Sequence, residues 1–113
     1  MAIDGIWTSE VYGPFGWENH GVLVLERGRI LGGGNRHYSF GQYRQSGETM
    51  EATLKVEYFG PPRTMFGEAN EEFELAIEGA VKDGVIEGSI RRPDKPQFDL
   101  QMRMTRRMDV PTL

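Results

Sequence analysis

The sequence predicts an all-β domain, because apolar and polar residues alternate along it and short turn motifs separate the alternating segments. In segment 51–58, Leu54 and Val56 fall on one face of a strand and charged residues fall on the other. The same alternation returns over 71–78 and 97–106. No segment shows apolar residues at helical spacing over several turns, so helices are not expected.

Turn motifs separate these segments, and Asp83-Gly84 is the strongest hairpin motif among them. Sequential hairpins place each strand beside its chain neighbour, and closure of the sheet removes its two exposed edges. We therefore predict an antiparallel up-and-down barrel rather than a sandwich. The segments between turns predict about eight strands, near 3–12, 19–27, 29–34, 37–45, 49–59, 71–81, 84–91 and 97–107.

The length and composition bound the class of protein. A chain of 113 residues is the size of one domain, so we assign 1–113 to a single barrel. The absence of cysteine excludes disulfides, a thiol nucleophile and a cysteine-based metal site. The net charge of −4 is unfavourable for nucleic-acid binding. No apolar run approaches the roughly 20 residues of a membrane helix, and no signal peptide is visible, which together predict a soluble cytoplasmic protein.

The first predicted strand carries Gly5-Ile6-Trp7, and this Gly-x-Trp resembles the signature of the lipocalins and the wider calycins. In those proteins the tryptophan closes one end of the barrel, and a late arginine or lysine packs over it. The resemblance implies a lipocalin-like barrel here, in which Arg103 or Arg106 covers Trp7 through a cation–π contact.

A series of glycines and aromatic residues extends this resemblance over the chain from about Asp4 to Arg106. In its order and spacing the series resembles the GrlR-like family, named for a negative regulator of type III secretion genes. The resemblance implies a homodimer that is not an enzyme and that binds a transcriptional activator and keeps it off DNA. The matching positions are 21–25, 28–29, 32–34, 38–41, 66–67, Gly79, Gly88, Leu100 and Arg103.

The founding member of that family has an acidic Glu-Asp-Glu-Asp loop that is linked to activator binding. The equivalent turn here is 46–51, which keeps two acids, Glu48 and Glu51, but not the run of four. The resemblance therefore implies that Glu48 and Glu51 bind the partner protein.

Catalytic, cofactor and metal sites are not predicted. The glycines at 32–34 lack the spacing and the lysine of a phosphate loop, so a tight turn or bulge is expected there. His20 and His37 lack the spacing of metal ligands. The chain contains serine, histidine and aspartate residues, but no nucleophile-elbow motif identifies one serine as a nucleophile, so a Ser–His–Asp triad is not predicted.

Two charged regions and one loop remain open to interpretation. Acidic residues concentrate over 68–78. They form either a solvated outer face or a docking surface for a basic partner. Basic residues concentrate over 91–107, and the opposite charges also suit self-association. The apolar loop 59–66 is either a lid over the barrel mouth or part of a dimer contact.

Two functional hypotheses follow. The first is a bacterial regulatory protein that sequesters a partner protein and acts as a homodimer. The second is a carrier or sensor of a small apolar ligand held in the barrel cavity. The predicted cavity lining comprises Trp7, Tyr38, Phe40, Leu54, Val56, Phe73, Leu75, Ile77, Phe98, Leu100 and Met102.

Overall fold

The computed structural model describes residues 2–60 and 72–112 and confirms the predicted all-β fold. Every strand pairs antiparallel with its neighbours in the chain, and the first strand pairs with the last, so the sheet closes into an up-and-down barrel. The strands are β1 (Gly5–Gly13), β2 (Gly16–Glu26), β3 (Arg29–Gly33), β4 (His37–Ser46), β5 (Thr49–Tyr58), β6 (Phe73–Lys82), β7 (Val85–Arg91) and β8 (Asp99–Met108).

The largest difference from the predicted bounds lies in β2, which begins at Gly16 rather than near residue 19. Residues 16–20, which precede the apolar run of β2, do not alternate between apolar and polar. The alternation pattern therefore did not predict a strand there. It forms a strand because it pairs with the end of β1, from Glu10 opposite Asn19 to Gly13 opposite Gly16. A tight turn at Pro14 and Phe15 joins the two strands.

The Asp83-Gly84 motif forms the hairpin that the sequence predicts. Its two residues have φ angles of 52° and 76°, and the turn at Arg27 and Gly28 has φ angles of 53° and 79°. Positive φ at both central residues defines a type I′ turn, whose twist matches that of the flanking strands. These turns fix the register of β2 with β3 and of β6 with β7.

The barrel has two ends, which we name the Trp7 end and the His37 end. The Trp7 end holds the β2–β3, β4–β5 and β6–β7 turns, together with the start of β1 and the finish of β8. The His37 end holds the β1–β2, β3–β4 and β7–β8 connections. Part of the β5–β6 connection, which contains most of the predicted apolar loop 59–66, lies outside the described residues.

Trp7 closes its end of the barrel, as the Gly-x-Trp resemblance implies. Its side chain is buried, and its indole Nε1 donates a hydrogen bond to the Ile3 carbonyl at 3.0 Å. Arg106 lies opposite Trp7 in the β1–β8 register, and its guanidinium donates to the Asp4 carbonyl at 2.8 and 3.2 Å. Of the two arginines that the resemblance offers as a cover for Trp7, Arg103 is excluded. Arg103 lies on the outer face, 4.2 Å from the centre of the Trp17 ring.

A second contact at the Trp7 end fixes the segment before β1. The Tyr43 hydroxyl donates a hydrogen bond to Asp4 Oδ1 at 2.7 Å. Burial and this hydrogen bond raise the pKa of Tyr43 to about 12. The N-terminal segment is therefore tied to β4 as well as to β8.

Candidate functional site

The barrel interior is almost filled by side chains. Among the described residues it contains a cavity of about 10 Å³, roughly the space of a single water molecule. That volume leaves no room for a small apolar ligand inside the packed barrel. The cavity is lined by Ser9, Val11, His20, Leu23, Ser39, Leu54, Val56, Ile77, Ile90, Met102 and Met104.

Most residues of the predicted cavity lining face inward and pack against one another, so they form a core and not an open pocket. Phe98 and Leu100 are partly buried and pack against that core. The buried members of the predicted lining are Trp7, Leu54, Val56, Phe73, Leu75, Ile77 and Met102.

Tyr38 and Phe40 do not line the interior, and their assignment to the cavity is wrong. Their side chains lie on the outer face of β4 and are 45% and 40% exposed. Strand alternation turns Ser39 inward instead, where it is buried. Gly41 follows on the same inward face, and a Cβ atom there would lie 1.8 Å from the Thr53 carbonyl oxygen. The close approach of β5 thus excludes a side chain at position 41.

Two histidines and a row of rings occupy the His37 end. The ring centres of His20 and His37 are 4.9 Å apart, and those of His37 and Tyr58 are 6.0 Å apart. Tyr58 is followed by Phe73 at 6.1 Å, and the Arg92 guanidinium lies 4.6 Å from the centre of the Phe73 ring. Within the described ranges no three metal-ligating side chains gather here or elsewhere.

The serines beside these histidines are committed to backbone contacts. The Ser9 hydroxyl donates to the Gly21 carbonyl at 3.3 Å, and the Ser39 hydroxyl donates to the Gly32 carbonyl at 3.5 Å. Neither contact activates the hydroxyl, because a nucleophilic serine must donate to a general base.

Burial lowers the pKa of His37, because the charged imidazolium is poorly solvated there. Unfolding restores the ordinary pKa near 6.5, so the unfolded chain binds the proton more readily in mild acid. We therefore expect the free energy of unfolding to fall as the pH drops from about 7.5 to about 5. Urea unfolding of the wild type and of His37→Gln at both pH values measures the effect. The variant should lose less stability in acid, and equal losses would contradict the assignment to His37.

The predicted partner-binding acids lie at the Trp7 end, at and beside the β4–β5 turn. Both Glu48 and Glu51 are exposed, and Glu51 forms an ion pair with Arg44 at 2.9 Å. The Glu48 carbonyl accepts a hydrogen bond from the Val81 amide at 2.7 Å, which fixes the turn against the end of β6. A groove of about 690 Å³ opens beside this turn, between Gln45, Gly47, Glu48, Val81, Lys82, Asp83 and Gly84.

The basic residues near the C-terminus are largely engaged within the chain. Arg91 pairs with Glu78 at 3.3 Å and Arg103 pairs with Glu10 at 3.1 Å. Arg106 contacts the Asp109 carboxylate. These contacts offset part of the positive charge of the segment 91–107.

Gly32 and Gly33 do not form the tight turn or bulge that the sequence predicts, whereas Gly34 lies in the β3–β4 connection, where its amide donates to the His37 carbonyl at 3.0 Å. Gly32 and Gly33 belong to β3, and a Cβ atom at Gly32 would lie 1.9 Å from the Val22 carbonyl oxygen. Glycine is required at this position because two backbones approach closely, and not because a turn needs a positive φ.

The sequence analysis missed an exposed apolar surface on the outside of β2, β3 and β4. We name it the outer apolar face, and Phe59 extends it at one edge by stacking on Tyr38 with ring centres 6.5 Å apart. Four of its members are 40–45% exposed, which is high for large apolar side chains in such close proximity. The outer apolar face comprises Val22, Val24, Leu31, Tyr38 and Phe40.

A signal for this face is present in the sequence. Residues 22–25 and 30–31 form continuous apolar runs and do not alternate with polar residues. Continuous apolar runs are typical of strands that are buried on both faces. Because the inner face of these strands packs in the barrel core, the runs indicate a second covered surface on the outside.

No protein-family model matches the chain, and no curated protein matches it. The part of the chain that the structure describes has no helix of the length and apolarity needed to span a membrane.

Proposed function

We propose that this protein is a non-enzymatic bacterial regulatory protein, similar to the GrlR-like family, that binds and sequesters a partner protein. The filled interior is the observation that carries the proposal. Because the described interior leaves a cavity of only about 10 Å³, we expect the protein to bind with its outer surface. The serine contacts support a role without catalysis, because the Ser9 and Ser39 hydroxyls, which line a cavity with His20, donate to backbone carbonyls.

The proposed partner is a transcriptional activator in the cytoplasm, and the proposed contact is the acidic β4–β5 turn. Glu48 lines the groove beside the turn, and Glu51 is exposed on the adjoining strand β5, so we expect a basic segment that crosses the turn to contact both carboxylates. The proposal also includes a homodimer, as the family resemblance implies. The small-ligand hypothesis has less support, because the described interior lacks the space that it requires.

Native mass spectrometry of the gently purified protein tests the choice between the two hypotheses. We expect the mass of a dimer without added small molecule. A mass excess that survives buffer exchange would contradict the proposal and support the ligand-binding hypothesis.

Reversing both acids, in the variant Glu48→Lys/Glu51→Lys, is expected to weaken partner capture about tenfold or more, because two attractive contacts become repulsive. The measurement is the affinity for an activator first captured from an extract of the source bacterium and then purified. Binding should also reduce the affinity of that activator for its DNA.

The matched control is Glu87→Lys/Asp99→Lys, which makes the same charge change at two exposed positions on β7 and β8. Capture by this control should equal capture by the wild type. Equal weakening in both double variants would show that overall charge and not the turn governs binding. An activator that keeps its DNA affinity when bound would contradict sequestration.

A further inference from the structure

We infer that a second copy of this chain covers the outer apolar face, in a dimer whose two-fold axis runs across strands β2 to β5. The inference rests on the homodimer within the proposed function and names the surface and the pairing that form it.

The outer apolar face is exposed in the single chain, and we expect another protein surface to bury it. Val22, Leu31 and Phe40 are 45%, 43% and 40% exposed and lie on adjacent strands. Large exposed apolar patches mark interaction sites, and strands that are apolar on both faces are typically buried on both. A second copy of the chain is the one partner that is present wherever the chain is present.

The face consists of two parallel rows that differ in their side chains. The strand register places one row across Val24, Leu31, Phe40 and Lys55. The same register places the neighbouring row across Val22, Gly33, Tyr38 and Glu57. The rows are two residues apart along each strand, or about 7 Å.

A two-fold axis between the rows places each row against the other row of the second copy. Val24 then meets Val22, Phe40 meets Tyr38, and each contact occurs twice because the dimer is symmetric. Leu31, which projects from β3, meets the gap in the other row at Gly33. Lys55 meets Glu57, so opposite charges face each other at the edge of the apolar contact. The face is thus complementary to itself in both shape and charge.

The gap at Gly33 is fixed by the fold. A Cβ atom at Gly33 would lie 2.3 Å from the His37 carbonyl oxygen and 2.8 Å from Tyr38 Cα, so the packing of β3 on β4 excludes any side chain. Glu57 lies opposite Tyr38 in the β4–β5 register, and a hydrogen bond with this carboxylate raises the pKa of the Tyr38 hydroxyl.

Lys55 is free to reach the second copy at small cost. Within the chain it contacts Glu72 at 3.6 Å, and both side chains are about half exposed, at 41% and 54%. Exposed ion pairs of this kind contribute little to stability. Lys55 can therefore share or exchange that contact for Glu57 of the second copy.

The test is sedimentation equilibrium of the purified full chain, with charge reversals in the two rows. Lys55→Glu and Glu57→Lys should each raise the dimer dissociation constant about tenfold or more, because each places like charges together twice. The double variant Lys55→Glu/Glu57→Lys should return to within about threefold of the wild type, because opposite charges meet again. If the dissociation constant of the double variant rises by the product of the two single increases, the proposed axis is wrong.

Leu31→Asp tests the apolar contact itself and should yield a monomer, because it buries two carboxylates at the dimer interface. Leu31 is 43% exposed in the single chain, so the variant should keep the strand spectrum and the cooperative unfolding of the wild type, with a melting temperature lowered by the loss of the dimer alone. The matched control is Phe15→Ser, at a residue 90% exposed in the β1–β2 turn and outside the face. It should dimerise like the wild type.

The outcomes separate this inference from the proposed function. A dimer that persists in Leu31→Asp would overturn the assignment of the face and leave the homodimer intact. A wild-type monomer would overturn both the inference and the proposed homodimer, whereas capture of the activator by that monomer would still support sequestration. A wild-type dimer that is lost in Leu31→Asp supports the inference, whether or not the activator is captured.

Discussion

Replacing Trp7 with alanine is expected to lower the free energy of unfolding by about 3–5 kcal/mol. The side chain is 1% exposed and closes one end of a packed core, so its removal leaves a large cavity. The change also removes the hydrogen bond from the indole to the Ile3 carbonyl, which is 3.0 Å long. An unpaired buried carbonyl adds to the cost. Losses of this size approach the whole stability of a small domain.

Urea unfolding followed by circular dichroism measures this effect. The matched control is Trp17→Ala, because Trp17 is 38% exposed and packs only on the outer face, against Tyr12 and Arg103. We expect the control to lose no more than about 1.5 kcal/mol. Equal losses in the two variants would contradict the role of Trp7 as the residue that closes the barrel.

Replacing Gly41 with alanine is expected to cost about 3 kcal/mol of stability, although it adds a single methyl group. The added Cβ atom would lie 1.8 Å from the Thr53 carbonyl oxygen and 3.0 Å from Leu54 Cα. Both are backbone atoms, so no side-chain rotation relieves the clash. The strands β4 and β5 would have to separate, and their hydrogen bonds would weaken.

Gly60→Ala is the matched control for that prediction. The nearest atom to a Cβ at Gly60 is Arg36 Cα at 3.6 Å, which is an ordinary contact distance. Its free energy of unfolding, measured in urea, should agree with that of the wild type within about 0.5 kcal/mol. A tolerated Gly41→Ala would show that the two strands are not held as closely as the structure indicates.

The barrel could be predicted from the sequence because its signals are local. Alternation in β5 and β6 and turn residues such as Asp83-Gly84 each specify a strand or a hairpin without reference to the rest of the chain. Closure followed from the number of strands and from the preference of sequential hairpins for adjacent pairing.

The side-chain directions in β4 could not be predicted in the same way. Tyr38 and Phe40 are more apolar than Ser39 and Gly41, so hydrophobicity alone predicts that the two aromatic side chains point inward. The opposite orientation depends on tertiary contacts: β5 approaches Gly41 so closely that no side chain fits there. The distance between two paired strands depends on the whole sheet, so it cannot be predicted from a local sequence pattern.

The candidate site was predictable only in part for a related reason. Glu48 and Glu51 were identified through a family resemblance, and the structure shows that both residues are exposed. The outer apolar face depends on the register of three strands, which brings residues from 22 to 40 into two rows. The outer apolar face can therefore be predicted only when the pairing of these strands is already known.

The pairing of β1 with β8 also determines when this protein can complete its fold during synthesis. The ion pair between Glu10 and Arg103 joins residues 93 positions apart, and contacts of such long range form slowly. A ribosome releases β1 before β8, so the sheet keeps two unpaired edges until β8 has emerged. Open edges pair readily with other chains. A chain that stops before Asp99 keeps those edges permanently, and it is expected to aggregate rather than to form a smaller stable barrel.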